Sequence, residues 1–465
     1  MWLHWHRRDL RVRDNKGLAA RADETIQPIF VFDPDVLRHG SPARVAFLLD
    51  ALDALRDWYR DCGSDLVIAK GRPWEVLPEL VEKYDAEGIT WNHDYSGLAH
   101  RRDEDVVESL KDSEIAYERF HDAVHHEPGA IRTNDGKPYS VFSYFWKKWT
   151  EREKEAPFST PTAEVFADAE GETLPSLDDL GFDEPEAQLP AAGMEPARDR
   201  LDTFCNDSIY RYDEIREYPA SKGTSRLSQD LKYGTLGVRE AYAQTEEALD
   251  AADTDAKRES VESYQRQLAW REFYTQVLYF NPNLVTENYK DYRNEIQWRS
   301  DADELNAWKD GETGYPIVDA GMRQLRTEAF MHNRTRMIVG SFLTKDLMHD
   351  WREGYDWFRE RLVDHETAND NGNWQWIGST GTDAQPYFRV FNPMTQGESY
   401  DPDAEYIKAY VPELRGVDSR NIHRWHELDD DERESIAPDY PAPIVDHSDR
   451  REQAVAMFES ARGKD

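Results

Sequence analysis

Cysteine is almost missing: Cys62 and Cys205 are the only two in 465 residues, too few for a disulfide framework or a thiolate metal site. That points to a reducing compartment and to a core large enough to hold without covalent staples. No apolar run approaches the roughly 18 to 20 residues needed to cross a bilayer, and the amino terminus MWLHWHRRDLRVRDN lacks the apolar stretch of a signal peptide. A cytoplasmic protein without membrane association is expected. A G-x-G-x-x-G motif after a strand is also absent, which excludes the ordinary dinucleotide fingerprint. Positive charge is scarce, with 57 Lys and Arg against 93 Asp and Glu and a net charge of -36. Such an excess argues against a general polyanion binder. Spread over the whole chain, it suits a protein working in concentrated salt, where screening removes self-repulsion. Binding to DNA would then need a locally basic face.

What is present divides along the chain. From residue 1 to about 130 the runs IQPIFVF, DLVIAKG and GITWNHD read as buried strands alternating with helices. In SPARVAFLLDALDALRDWYRDCG, Ser41 is placed to cap, Pro42 suits the first turn, and Val45, Leu48, Leu49, Leu52 and Leu55 recur at helical spacing until Gly63. Alternation of this kind predicts a Rossmann-like, doubly wound parallel sheet over 1–130. Residues 131–200, rich in Pro, Glu and Asp, read as a long surface connector. Residues 201–445 carry helical, tryptophan-rich patterns and predict an all-α domain, followed by a short tail over 446–465. The expected class is therefore α/β plus all-α.

Three stretches carry chemistry. In GTSRLSQDLKYGTLGVRE, Gly223, Thr224, Ser225, Arg226 and Ser228 stand at a helix start, where backbone N–H and hydroxyl donors beside an arginine can cradle a phosphate. An ordinary capped helix uses the same residues. In QRQLAWREFYTQVLYFNP, Gln267, Trp270, Arg271 and Tyr274 fall at i, i+3, i+4 and i+7 on one helical face. That face suits stacking on a flat heterocycle and reading its edge, or a half-buried amphipathic stripe. FMHNRTRMIVGSFLTKDLMHDW places Asn333 and Met337 one turn apart. Over 323–345, Arg323, Arg326, Arg334, Arg336 and Lys345 stand against Glu328 alone, a locally basic patch unless the stretch is a solvated helix face.

Taken with WHRRDLRVRDN, GYPIVDAGMRQL, DWREG and WQWIGSTGTDAQPYFRVFNP, these segments resemble the DNA photolyase and cryptochrome family over nearly the whole chain, in the family's order. The resemblance implies an α/β antenna domain, a connector and a helical domain enclosing FAD. The implied activity is light-driven repair of cyclobutane pyrimidine dimers, a carbon–carbon lyase reaction on UV-damaged DNA by a monomer, without a metal. It assigns Tyr212, Thr224, Ser225, Arg226, Leu227 and Ser228 to the FAD tyrosine and phosphate loop, and Arg271 to the cofactor's surroundings and to orienting the substrate. Asp364 and Glu366 match an acidic pair around the ribityl and isoalloxazine region, where the second is usually aspartate, and Arg336 matches an arginine paired with the first. Trp298, Trp351 and Trp374 match a tryptophan chain that relays electrons to the flavin. Trp270 and Trp376 match aromatics that hold a flipped dimer beside Asn333 and Met337, and flipping is eased because the lesion has already lost stacking. Arg216, Arg334 and Gln396 would lie near the DNA, and the polar run HETANDNGNWQW would line the flavin.

Three departures qualify the resemblance. Gln267 stands where cyclobutane-dimer photolyases carry a glutamate; its amide can bond the bases but cannot supply a proton. The (6-4) photoproduct branch carries glutamine here but a histidine pair in place of Asn333 and Met337, so the cyclobutane lesion remains the expected substrate. Asp370 stands where photolyases usually place an asparagine facing the flavin N5 and plant cryptochromes an aspartate; a neutral carboxyl there could protonate the flavin. Gln267 and Asp370 support the rival reading, a cryptochrome-type blue-light receptor without repair, which the short stretch after the last fold-like segment opposes. The glutamate of folate-type antenna pockets would fall at Ala99, so a deazaflavin antenna near Trp91 and Asp94 is expected instead.

Overall fold

The computed structural model describes residues 1–463; the last two residues of the expected tail lie outside the described residues. Five parallel strands, β1 (Trp2–His6), β2 (Ile26–Phe32), β3 (Val67–Lys70), β4 (Gly88–Asn92) and β5 (Ala116–Phe120), form one sheet in the order β3-β2-β1-β4-β5. β1 is central, with Trp2 in register with Ile26 on one side and Gly88 on the other. A Cβ at residue 88 would fall 2.6 Å from the Trp2 ring, so glycine lets the two strands close. β1, β2 and β4 are buried along their whole length, as strands of a parallel sheet covered on both faces are.

The sequence marks β2, β3 and β4 clearly, whereas β1 and β5 carry weaker signals. Two histidines interrupt β1, but His4 Nδ1 lies 3.0 Å from the Thr90 hydroxyl and His6 Nε2 lies 2.8 Å from the Tyr59 hydroxyl. Burial, with His4 adjacent, lowers the His6 pKa to about 3 and leaves a neutral ring in the core. β5, AYERF, is a partly exposed edge strand without periodicity. The helix Pro42–Asp61 forms where expected and buries Val45, Phe47, Leu52 and Leu55. Ser41 precedes it without capping through its side chain; its Oγ accepts from Arg44 Nε at 3.2 Å instead.

The stretch read as a connector contains a helix, Phe142–Glu151, with Phe142, Phe145 and Trp149 buried, and the start of another, Met194–Asn206. The chain divides into two compact units. Residues 1–185, 189–212 and 224–282 form the first, and 186–188, 213–223 and the chain from Asn283 onward form the second. The first unit has a sheet core around Leu3, Trp5, Ile29, Ile89 and Trp91, and a helical core around Leu201, Phe204, Leu231, Val261 and Tyr264. The second is helical, around a core that includes Trp308, Phe342, Trp351, Phe358, Trp374 and Trp425, with a smaller cluster at Ile296, Phe458 and Ala461. No helix among the described residues is long and apolar enough to cross a membrane.

Within the first unit the motif after β1 is a clamp. Leu10 N–H donates to Tyr233 O at 3.1 Å and Arg11 Nη1 to Gly234 O at 3.2 Å. Arg11 Nη2 also reaches Asp122 at 2.5 Å, while Arg239 Nε reaches Asp14 at 2.6 Å and its Nη2 pairs with Asp122. These buried ions neutralise one another, which burial demands. They fix the chain just beyond the short helix Ser228–Tyr233, at whose start the candidate phosphate loop lies.

Candidate active site

In the first unit the loop 224–228 turns sharply at Arg226, whose φ of 53° lies in the left-handed region. Gln229 holds that turn by donating from Nε2 to Arg226 O at 2.6 Å, and Leu227 is buried beneath it. Asp230 is wholly buried, held by Arg200 at 2.7 Å and by Thr235 at 3.0 Å; burial raises its pKa despite the arginine. Ser225 Oγ accepts from the Tyr264 hydroxyl at 3.0 Å, and the Tyr212 ring stands edge-on to Tyr264 at 5.3 Å. The structure thus groups Tyr212 with the loop Thr224–Ser228 through Tyr264. Motif reasoning omits Tyr264, although it stands three residues before Gln267 on the same helical face.

That face belongs to the helix Asp255–Phe280, begun by Thr254, whose side chain accepts from Lys257 N–H. Gln267 Nε2 donates to Ser263 O at 3.2 Å, and Trp270 stacks on Phe142 with centroids 3.6 Å apart and planes 9° apart. Arg271, expected to orient the substrate, also bonds the backbone. Its Nη1 donates to Ala123 O at 2.7 Å and its Nη2 to Leu231 O at 3.2 Å, so the guanidinium ties backbone segments together. Tyr274 is buried against Trp270, which leaves Gln267, Trp270 and Arg271 as the half-exposed part of the stripe. Glu272, directly after Arg271, carries no signal in the motif spacing. It accepts from His125 N–H at 2.8 Å and His126 N–H at 3.2 Å, and burial pushes its pKa up to about 7.

The two expected antenna residues separate. The Asp94 carboxylate accepts from Arg8 at 3.2 Å and from Tyr95 N–H at 2.7 Å. Burial opposes its charge, but Arg8, Arg102 and Arg7 outweigh that and hold it below the usual carboxylate range. Trp91 has no exposed surface and packs inside the sheet core between Trp5 and Tyr117, at 6.0 and 5.9 Å, so it cannot line an open pocket. A third polar group, His4, His6 and Asp9, brings candidate metal ligands within 4.8 Å. Its atoms are occupied by Thr90, Tyr59 and Asn92.

In the second unit the helix Asn333–Ser341 starts at His332, whose Nδ1 accepts from Arg334 N–H at 3.2 Å. Asn333 and Met337 stand together at the surface, Nδ2 to Sδ 3.7 Å. Arg336 Nε donates to Met331 O at 2.8 Å, its Nη2 to Asp364 Oδ2 at 2.8 Å, and its Nη1 lies 3.8 Å from Asp370. Burial works against its charge, yet Asp364 and Asp370 keep its pKa above the usual value. The other Asp364 oxygen, Oδ1, is buried without a hydrogen-bond partner. A buried acceptor left open fits an N–H or O–H donor of a flavin and its ribityl chain.

Glu366 accepts from Asn369 Nδ2 at 2.5 Å, and Asp370 Oδ2 lies 2.6 Å from His365 Nδ1. His365 was missed because its partner lies across the start of the helix Thr367–Ile377. Two amides of the polar run have another use than lining a flavin. Asn371 donates to Leu284 O at 2.6 Å, and Gln375 donates to Leu284 O at 2.9 Å and Glu287 O at 3.0 Å while accepting from Tyr289 N–H at 2.9 Å.

Trp351 and Trp374 lie in the core of this unit, and Trp298 and Trp376 pack against it half-buried. Trp374 meets Phe358 edge-on at 4.9 Å, Trp351 Nε1 donates to Asn288 at 2.9 Å, and Trp298 meets Phe458 edge-on at 5.7 Å. Of the basic run expected over 323–345, Arg326 is exposed, 3.9 Å from Asp310, while the other four cations are engaged or buried. Arg323 is held by Glu413 at 2.8 Å, Arg334 by Glu217, and Arg336 by Asp364. Lys345 is buried; its Nζ donates to Ser379 Oγ at 2.8 Å, and burial drives its pKa well below the usual lysine value. Arg216 lies 3.4 Å from Glu217, and Gln396, on the helix Pro393–Tyr400, keeps its buried Oε1 unpartnered.

Comparison with known proteins accords with this geometry. Residues 2–163 match the family model for DNA photolyase, and residues 264–460 match that for the FAD binding domain of DNA photolyase. Over 100% of both chains the protein is 59% identical to the deoxyribodipyrimidine photo-lyase of Halobacterium salinarum. A bacterial class III photolyase from Agrobacterium tumefaciens is similar with a TM-score of 0.92 at 33% identity, covering 99% of this chain and 98% of that one. An archaeal photolyase from Sulfolobus tokodaii, solved with two FAD molecules, is similar with a TM-score of 0.84 at 30% identity over 99% of each chain. The unbroken run of motifs from the sheet to the tryptophan core therefore has one explanation: the chain belongs to the DNA photolyase family and carries its FAD-binding domain.

Proposed function

We propose that this protein repairs cyclobutane pyrimidine dimers in DNA under blue light, as a deoxyribodipyrimidine photo-lyase. The observation that carries the reading is the full-length match, at 59% identity, to a deoxyribodipyrimidine photo-lyase. When bound, FAD supplies the light-driven electron that opens the cyclobutane ring. The chain's own residues bind, orient and shield. In the first unit Tyr212 and the loop Thr224–Ser228 offer hydroxyl and backbone donors, with Arg226, for the cofactor's phosphates. Trp270, backed by Phe142, offers a rigid face for a flipped base, and Gln267 offers an amide to its edge.

In the second unit Arg336 orients Asp364 so that Oδ1 stays open to a cofactor donor. Trp298, Trp351 and Trp374 conduct electrons inward, and Trp376, Asn333 and Met337 meet the lesion. Arg216, Arg334 and Gln396 meet the DNA, and Glu366 and Asp370 flank the cofactor, with Asp370 Oδ2 2.6 Å from His365 Nδ1. A second chromophore of the deazaflavin type near Asp94 is supported by the cationic surroundings of that carboxylate and by alanine at position 99. The protein works as a monomer in the cytoplasm, a compartment its scarce cysteine supports. Irradiating a dimer-containing oligonucleotide with the reduced protein in high salt should remove dimers relative to a dark control. No loss of dimers would sink the repair reading and leave the light-receptor alternative, which Asp370 favours.

A further inference from the structure

In the second unit Arg334, one of the residues proposed to meet the DNA, is already engaged by an acid. Arg334 Nε donates to Glu217 Oε2 at 2.7 Å, and Nη2 donates to the same oxygen. Its guanidinium lies over the Tyr400 ring at 4.1 Å, and Tyr218 stands edge-on to Tyr400 at 6.4 Å. Arg216 Nε approaches the other Glu217 oxygen at 3.4 Å, and its Nη2 lies 3.7 Å from Asp213. The Glu217 side chain is 31% exposed and that of Arg334 13%, so the pair is open to solvent on the carboxylate side. A carboxylate in an arginine fork occupies the place a phosphate oxygen would take.

We propose that Glu217 is an exchangeable stand-in for a DNA phosphate: on binding, Arg334 trades the carboxylate for a phosphate, and the trade removes most of this contact's salt dependence. The inference rests on the DNA-repair reading and deepens it. A phosphate that pairs with an unengaged arginine releases its condensed cation, which steepens log K against log salt by about 0.9 per contact. When the arginine is already paired, the carboxylate set free gathers a cation as the phosphate loses one. The two nearly cancel, and the contact holds its strength as salt rises. The Tyr400 ring keeps the guanidinium in place during the exchange by an attraction to its face. A chain with a net charge of -36, suited to concentrated salt, gains from contacts that screening does not weaken.

The test is the salt dependence of binding to undamaged and dimer-containing duplex DNA, measured on the flavin-loaded wild type, Glu217→Gln and Arg334→Gln, with flavin content and melting temperature checked for each. Glu217→Gln should bind several-fold tighter at low salt and show a slope steeper by about one ion. Arg334→Gln should bind more weakly at every salt concentration with the wild-type slope, and the double variant should follow it. An unchanged slope in Glu217→Gln, or weaker binding at low salt, overturns the exchange and leaves Glu217 as a positioning residue for Arg334. If Glu217→Gln loses its flavin, Arg334→Gln decides: a slope flatter by about one ion overturns the proposal, and the wild-type slope supports it. Failure of the wild type to bind DNA overturns both readings, binding without repair of dimers overturns the repair reading alone, and repair with unchanged slopes overturns the exchange alone.

Discussion

Arg336 serves Met331 O, Asp364 and Asp370 with one guanidinium, and each neighbour depends on it. Replacing Asp364 by asparagine leaves a largely buried cation without its closest counter-charge. Asp364→Asn should destabilise the fold by about 3 kcal/mol and lower flavin content, read by urea unfolding and visible absorbance; wild-type values in both would remove the pair from the cofactor's support. Asp370 is a subtler case. Asp370→Asn should keep the fold and the flavin while changing the pH dependence of light-driven flavin reduction, because the carboxylate that faces His365 at 2.6 Å is gone. A superimposable pH profile would return Asp370 to a structural role. Neither His365 beside Asp370 nor Asp370 as a second counter-charge for Arg336 is legible in the sequence, since motif spacing does not describe contacts between separate segments.

Two helices show how an element divides its labour. In Thr367–Ile377, Asn371 and Gln375 stand one turn apart and bond the backbone of residues 284–289, while Trp374 enters the core. The seat of Trp374 is Gly354 on the helix Trp351–Arg361, where an added Cβ would lie 2.1 Å from the indole. Gly354→Ala should therefore cost about 1–3 kcal/mol by overpacking and slow photoreduction by displacing Trp374, measured by thermal melting and by flavin bleaching under light. A fully active, equally stable variant would show that the indole is free to shift.

The helix Asp255–Phe280 carries Glu272, whose pKa burial raises from 4.5 to about 7. Between those values the folded chain holds a proton that the unfolded chain has released, so stability falls as pH rises through this window. Glu272→Gln should flatten that fall, on the order of 1–3 kcal/mol, in urea unfolding measured across the same pH range. An unaltered pH profile would assign the slope to other groups. The helical face of Gln267, Trp270 and Tyr274 was legible from spacing alone. Which of its residues remain exposed was not, because Phe142, which covers Trp270, comes from a helix in a stretch that composition marks as a connector.

Over the whole molecule the excess of 93 acidic over 57 basic residues sets the conditions of folding. Self-repulsion at low ionic strength opposes the compact state, and salt relieves it. Raising KCl from millimolar to molar should lift the melting temperature by several degrees and reduce urea sensitivity; a melting temperature that falls with salt would place the stability in surface ion pairs instead. At this scale the sequence by itself determined the alternation of strand and helix, the parallel sheet of the first unit and membership of a flavin-binding repair family. Those properties rest on local periodicity and on long contiguous motifs, both written along the chain. The tertiary structure alone decided which charges are available. Arg323, Arg334, Arg336 and Lys345 count as a basic run in the sequence, yet Glu413, Glu217, Asp364 and Ser379 engage them from positions far along the chain. Pairing and burial depend on distances in space, and linear spacing does not encode them.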